Sequence, residues 1–148
     1  MPKNRPHGSV LNELLRECFR LNRCLMEASQ QLTEGTGVTG AQWGVLTALG
    51  QGDAPRTVAE TARQMGLARQ SVQRVADVLA SNGLVSYLPN PEDKRAKLAE
   101  LTVAGRKLLR QLEKQQQAWV EAIATDCSDA DINGAFQSVK KIRQRMEQ

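Results

Sequence analysis

The residues best suited to chemistry are Arg69, Gln70, Gln73, Arg74 and Asp77, which share one side of a helical wheel. The other side carries Val72, Val75, Ala76 and Leu79 at i, i+3, i+4 and i+7, the spacing of a buried helix face. Arginine offers paired donors that match guanine O6 and N7. Glutamine offers a donor–acceptor pair that matches adenine N6 and N7. A helix built this way can read base edges in a major groove. An ordinary solvated helix face carries the same residue types, so the neighbouring segments must decide between the two.

The segment from Pro89 to Lys97 supplies that context. It is a prolonged turn bearing Lys94, Arg95 and Lys97, placed soon after the candidate reading helix. A basic turn at this position can reach phosphates or a neighbouring minor groove, whose negative potential attracts arginine. Asp93 does not suit a pure phosphate binder and fits better as an anchor for a neighbouring arginine. Charged hairpin tips also serve solubility alone, but behind a helix-turn-helix the tip reads as a wing.

These side chains need elements to hold them. Thr57 with Glu60 forms a capping-box pattern that opens a helix ending near Gly66. A second helix spans about Ala68 to Asn82 and is closed by Gly83, so the pair has helix-turn-helix proportions. Beyond Gly83 the period changes: 84–88 and 97–101 read as two strands of a hairpin. Upstream, Thr39 and Gln42 repeat the capping box and start a short helix through Trp43, Leu46 and Leu49. The segment 50–55 is a loop. From Ser9, a candidate cap, Leu11, Leu14, Cys18, Leu21, Leu25, Ala28 and Leu32 form a heptad seam that ends at Gly35 and Gly37. Thr102 starts a long helix with Leu108, Leu112, Trp119 and Ile123 on one stripe. Ser128 with Asp131 caps a last helix whose face of Ile132, Ala135, Phe136, Val139 and Ile142 is expected to be buried. The fold class is mainly α with a small β-hairpin wing, a winged helix-turn-helix flanked by long terminal helices. Residues 1–148 form a single domain, with the winged lobe at 38–102 and helices for dimerisation at 9–34 and 103–147.

Composition narrows the function. The chain of 148 residues is 41% hydrophobic but only 3% aromatic, so Leu, Val, Ile and Ala must build the core. No apolar run approaches the roughly 20 residues of a membrane span, and the first ten residues lack a secretory core, so a cytoplasmic protein without a membrane partner is expected. Cys18, Cys24 and Cys127 fit neither a disulfide framework nor a zinc site, and His7 is the sole histidine, so no metal or other cofactor is expected. A net charge of +4 permits a polyanionic partner without requiring one.

The run from Gly83-Leu-Val through Asp93-Lys-Arg-Ala-Lys97 to Leu101-Thr102-Val-Ala-Gly105 resembles the wing signature of the MarR family of bacterial transcriptional regulators. The upstream Ser71-Val-Gln-Arg74, with Leu79 and Gly83, is similar to that family's recognition helix. The resemblance implies a homodimer with interlocking terminal helices, acting as a repressor on double-stranded DNA with a pseudo-palindromic operator. It further implies that Arg69, Gln70, Ser71, Gln73 and Arg74 contact bases or backbone. Lys94 and Lys97 accompany Arg95, which enters the minor groove, while Asp93 orients a basic neighbour. Thr57 donates to a phosphate through its backbone and hydroxyl. Family members also respond to small phenolic or other aromatic effectors, here placed near Cys18, Trp43 and Leu46, although Trp43 suits a core better than a ligand-stacking wall.

Rival readings remain at this level. One branch of the family senses organic hydroperoxides through an early cysteine, and Cys18 beside Phe19 sits similarly, but its tyrosine partners are missing. Cys18 also suits a buried seam position. A winged-helix module for protein or RNA lacks support from spare aromatics. A thiol peroxidase lacks a cysteine–histidine pair, so no enzyme is expected.

Overall fold

The computed structural model describes residues 7–148, and of His7 the backbone alone; the first six residues lie outside it. In chain order the elements are α1 (His7–Thr33), α2 (Gly40–Gly50), β1 (Arg56–Thr57), α3 (Val58–Met65), α4 (Arg69–Ser81), β2 (Val85–Leu88), β3 (Leu98–Leu101), α5 (Val103–Ala124) and α6 (Asp129–Met146). The expected class is present: mainly helical with a small antiparallel sheet. Ser9 does not cap α1, because the helix already runs from His7 and holds Ser9 inside it.

Two compact units divide the chain, the first ending at Leu112 and the second spanning Glu113–Gln148. In the first, the core gathers Leu46, Leu79 and Leu112, each fully buried, with Val45, Val72, Ala76, Val85, Ala99 and Leu101. The buried stripe of α4 is Val72, Ala76 and Leu79, with Val75 partly covered, as its spacing predicts. Both capping boxes form. Thr39 Oγ1 accepts from Gln42 N at 3.2 Å while Gln42 Oε1 accepts from Thr39 N at 2.9 Å, and Thr57 and Glu60 repeat the pattern with the same distances.

The hairpin closes with Val85 opposite Leu101 and Leu88 opposite Leu98. A third strand went unrecognised in the sequence: Arg56 and Thr57 pair with Ala99 and Leu98, giving the sheet order β1-β3-β2. Two residues after a proline carry no periodicity, so only the partner strand reveals them.

The base of the hairpin is tied to α5 by its first turn. Thr102 Oγ1 donates to Gly83 O at 2.6 Å and accepts from Gly105 N at 3.1 Å, and Thr102 N donates to Leu84 O at 3.1 Å. Gly83 has φ +72°, so it turns the chain out of α4 where a side chain would be strained. Gly105 is needed for closeness: a Cβ there would meet the Leu84 carbonyl oxygen at 2.1 Å. The Leu-Thr-x-x-Gly pattern is thus a packing device that fixes the wing's stem.

The second unit contains the end of α5 and all of α6. Ser128 caps α6, accepting from Asp131 N at 3.1 Å, and Arg143 grips Glu147 with contacts of 2.6 and 2.7 Å. Within the single chain nothing covers the apolar face of α6 that the sequence marks for burial. No residue of α6 is buried, and Phe136 is 59% exposed along with Ile132 and Val139.

Candidate nucleic-acid interface

Three elements converge on an open groove of about 650 Å³: the start of α3, the outward side of α4 and the wing that joins β2 to β3. It collects six of the residues expected to touch DNA, namely Thr57, Arg69, Gln73, Asp93, Arg95 and Lys97. Gln70, Ser71 and Arg74 lie exposed on α4 and Lys94 lies exposed on the wing, outside the groove lining. Among the described residues the side chains of Arg69, Arg74, Lys94 and Arg95 make no ion pair or hydrogen bond, so their donors face solvent. The buried stripe of α4 leaves this outward side no other role in the core.

Two expected roles change in detail. Thr57 N–H is already spent on Glu60 Oε2, so it is not available to a phosphate. The Thr57 hydroxyl oxygen accepts from Glu60 N. Glu60 is held below the usual carboxylate range, chiefly by the Thr57 backbone donor and then by its hydroxyl. Asp93 does not grip a guanidinium. Its Oδ1 accepts the backbone N–H of Arg95 at 2.9 Å, and its carbonyl accepts from Ala96 N at 3.2 Å. Asp93 therefore shapes the wing tip through the main chain, an aspartate turn that presents Arg95. Asn90 does the same for Glu92 N at 3.1 Å.

Sequence reasoning missed Tyr87 and Arg63, and gave Asp77 no partner. Tyr87 Oη donates to Asp77 Oδ1 at 2.7 Å, and Gln73 Nε2 donates to Asp77 Oδ1 at 2.9 Å and to Tyr87 Oη at 3.0 Å. The Tyr87 and Gln73 donors hold the Asp77 carboxyl below its ordinary range, while burial, followed by the Asp77 contact, pushes the Tyr87 hydroxyl up. The cluster bolts the wing strand β2 to α4. Gln73 and Asp77 were legible as an i,i+4 pair, but Tyr87 is brought in by the hairpin.

The residues expected near an effector do not line the groove between α4 and the wing. Leu46 and Trp43 sit in the core and Cys18 is half-buried on α1. A separate groove of about 710 Å³ lies between the end of α1 and the start of α2, lined by Met26, Ser29, Gln30, Thr33, Val38 and Thr39 among others. Among the described residues no three His, Cys, Asp or Glu side chains gather as metal ligands, and no helix is long and apolar enough to cross a membrane.

A reading helix held against a core, followed by a three-stranded sheet with a basic tip, defines a winged helix-turn-helix. Residues 36–96 match the sequence model of the MarR family. Over that segment the chain is similar to the MarR family of transcription regulators. Among its relatives is the transcriptional activatory protein BadR of Rhodopseudomonas palustris, 27% identical over 135 residues, covering 87% of this chain and 77% of that one. Among solved structures, a mutant MarR from Escherichia coli complexed with operator DNA has a TM-score of 0.80 and 23% identity, covering 93% of this chain and 99% of that one. Staphylococcus aureus MarR in complex with salicylate and kanamycin has a TM-score of 0.83 and 18% identity, covering 93% of each chain.

Proposed function

We propose that this regulator binds double-stranded DNA sequence-specifically as a homodimer on a pseudo-palindromic operator, and that it represses. The observation that carries the reading is the outward side of α4, where Arg69 and Arg74 stand unpaired beside a wing bearing Lys94, Arg95 and Lys97. Donors left unpaired on a helix fixed by its core are what base readout requires, and basic groups at a projecting tip suit phosphate or minor-groove contact. The E. coli relative bound to operator DNA supports the same use of the fold. A dimer with two-fold symmetry then calls for half-sites about one turn, roughly 10 base pairs, apart. Repression follows if such a dimer occupies two successive major grooves of a promoter and excludes polymerase.

A small aromatic or phenolic effector tunes this binding in the proposal, supported by the salicylate complex of the S. aureus relative. The chain works without catalysis or cofactor, from the cytoplasm. Selection of bound fragments from a random duplex library by the full-length protein is the test. Recovery of an inverted repeat supports the reading; recovery of unselected sequence, with affinity set by salt alone, overturns sequence-specific regulation.

A further inference from the structure

The cluster of Gln73, Asp77 and Tyr87 fixes a choice that glutamine normally leaves open. A free glutamine amide both donates and accepts, so it pairs with adenine N6 and N7 and flips to suit other bases. Here the Gln73 Nε2 group is directed at two acceptors, Asp77 Oδ1 at 2.9 Å and Tyr87 Oη at 3.0 Å. The orientation is set by chemistry: Tyr87 gives its one proton to Asp77, so its oxygen must accept, and a carboxylate can only accept. Turning the amide over would set its carbonyl oxygen against both. Among the described residues, Gln73 Oε1 and Asp77 Oδ2 accept no hydrogen bond, and both residues line the groove between α4 and the wing.

We infer that Gln73 is a specificity-determining residue that reads its base through its carbonyl oxygen alone, selecting the bases with a major-groove amino group, adenine or cytosine, with Asp77 and Tyr87 as positioning residues. Adenine N6 and cytosine N4 donate in the major groove, whereas guanine O6 and thymine O4 accept and would face an acceptor. The side of α4 is therefore divided: Arg69 and Arg74 offer only donors, and Gln73 offers only an acceptor. The inference rests on the DNA-binding reading above and deepens it.

The test compares duplex selections for the full-length protein, Gln73→Ala, and Tyr87→Phe combined with Asp77→Ala. The unsubstituted protein is expected to favour adenine or cytosine over guanine or thymine about fivefold at one position of each half-site, the scale of one hydrogen bond. Gln73→Ala should erase that preference and leave the other positions intact. The double variant frees the amide to donate, so guanine and thymine should rise to within about twofold of the favoured bases. If the double variant melts below the assay temperature, Tyr87→Phe alone is read, with a partial loosening expected and an unchanged preference counting against. Guanine or thymine at the Gln73-dependent position, no such position in an otherwise specific operator, or a double variant that keeps the original preference overturns the inference. Failure of the unsubstituted protein to select any sequence overturns the regulator reading, and the inference with it.

Discussion

The winged unit and the second unit obey the same helix rules and end in different states. Around the winged core the apolar stripes of α2, α3 and α4 find partners, and the described residues show no buried side-chain polar atom left without a hydrogen bond. In Glu113–Gln148, the cap is satisfied and Arg143 Nη1 donates to both carboxylate oxygens of Glu147, yet Val120, Ile123, Ile132, Phe136, Val139 and Met146 stay exposed. Much of α1, in the first unit, shares this condition, with Phe19 77% exposed and Leu21 and Leu25 open. Local helix chemistry is complete in both places; only the winged core gathers its apolar stripes into a buried cluster. A second copy of the chain is the partner that the homodimer proposal supplies, since burying a large apolar side chain contributes about 1.5–3 kcal/mol.

The sharpest way to break the comparison is to charge the exposed face. Ile132→Glu with Phe136→Glu should leave the winged unit folded but give a monomer near 16.3 kDa in sedimentation. Operator affinity should fall about 100-fold, since the two half-sites no longer act together. An intact dimer with unchanged affinity would place the interface elsewhere. The complementary break lies inside the winged unit. Gly105→Ala sets a methyl group against the Leu84 carbonyl and should cost about 1–3 kcal/mol, visible as a lower denaturant midpoint.

Arg74 and Arg95 sharpen the division within the interface itself. Arg74→Ala should cost about 1–3 kcal/mol of preference for the operator over random duplex. Arg95→Ala should weaken binding to both and lower the log–log salt slope by about one unit. Affinities across a salt series decide it, and a slope untouched by Arg95→Ala removes the wing from the phosphate contacts.

A smaller effect tests the bolt between wing and helix. Asp77 is held below its ordinary range in the folded chain, so its contribution is present above the unfolded carboxylate pKa and is lost as pH falls through the folded value. Tyr87→Phe should therefore lower the melting temperature at neutral pH by the equivalent of about 1 kcal/mol. The gap between the two proteins should close in strong acid. The smallest expected effect is at Cys18, half-buried on α1. Organic hydroperoxide should leave operator affinity unchanged within about twofold, on the reading of Cys18 as a small seam hydrophobe. Release of DNA that Cys18→Ser abolishes would establish the sensor alternative instead.

Much of the interface is legible because its signals are local. The Thr57–Glu60 box, the α4 stripe of Val72, Ala76 and Leu79, and the turn at Gly83 each depend on residues within one or two helical turns. Such patterns state which side of α4 is free, and hence that Arg69 and Arg74 are available. Asp93 was placed at the tip correctly, but its role was assigned to a side chain when its partner is a backbone N–H. Composition cannot distinguish those two acceptor uses.

What the sequence by itself determined, then, is the helices, their caps, the hairpin and the family signature, since short-range hydrogen bonding and periodic burial specify them. Tertiary structure alone decided three things. β1 exists because Leu98 and Ala99 offer it a ladder. Tyr87 joins Gln73 and Asp77 because the hairpin folds back over α4, bringing together residues 14 and 10 positions apart. The structure also shows that no part of the chain itself covers the face of α6, whereas periodicity states that a stripe is apolar and never names what covers it. A pattern along one helix records its own geometry, whereas contacts between elements depend on the path of the chain through space.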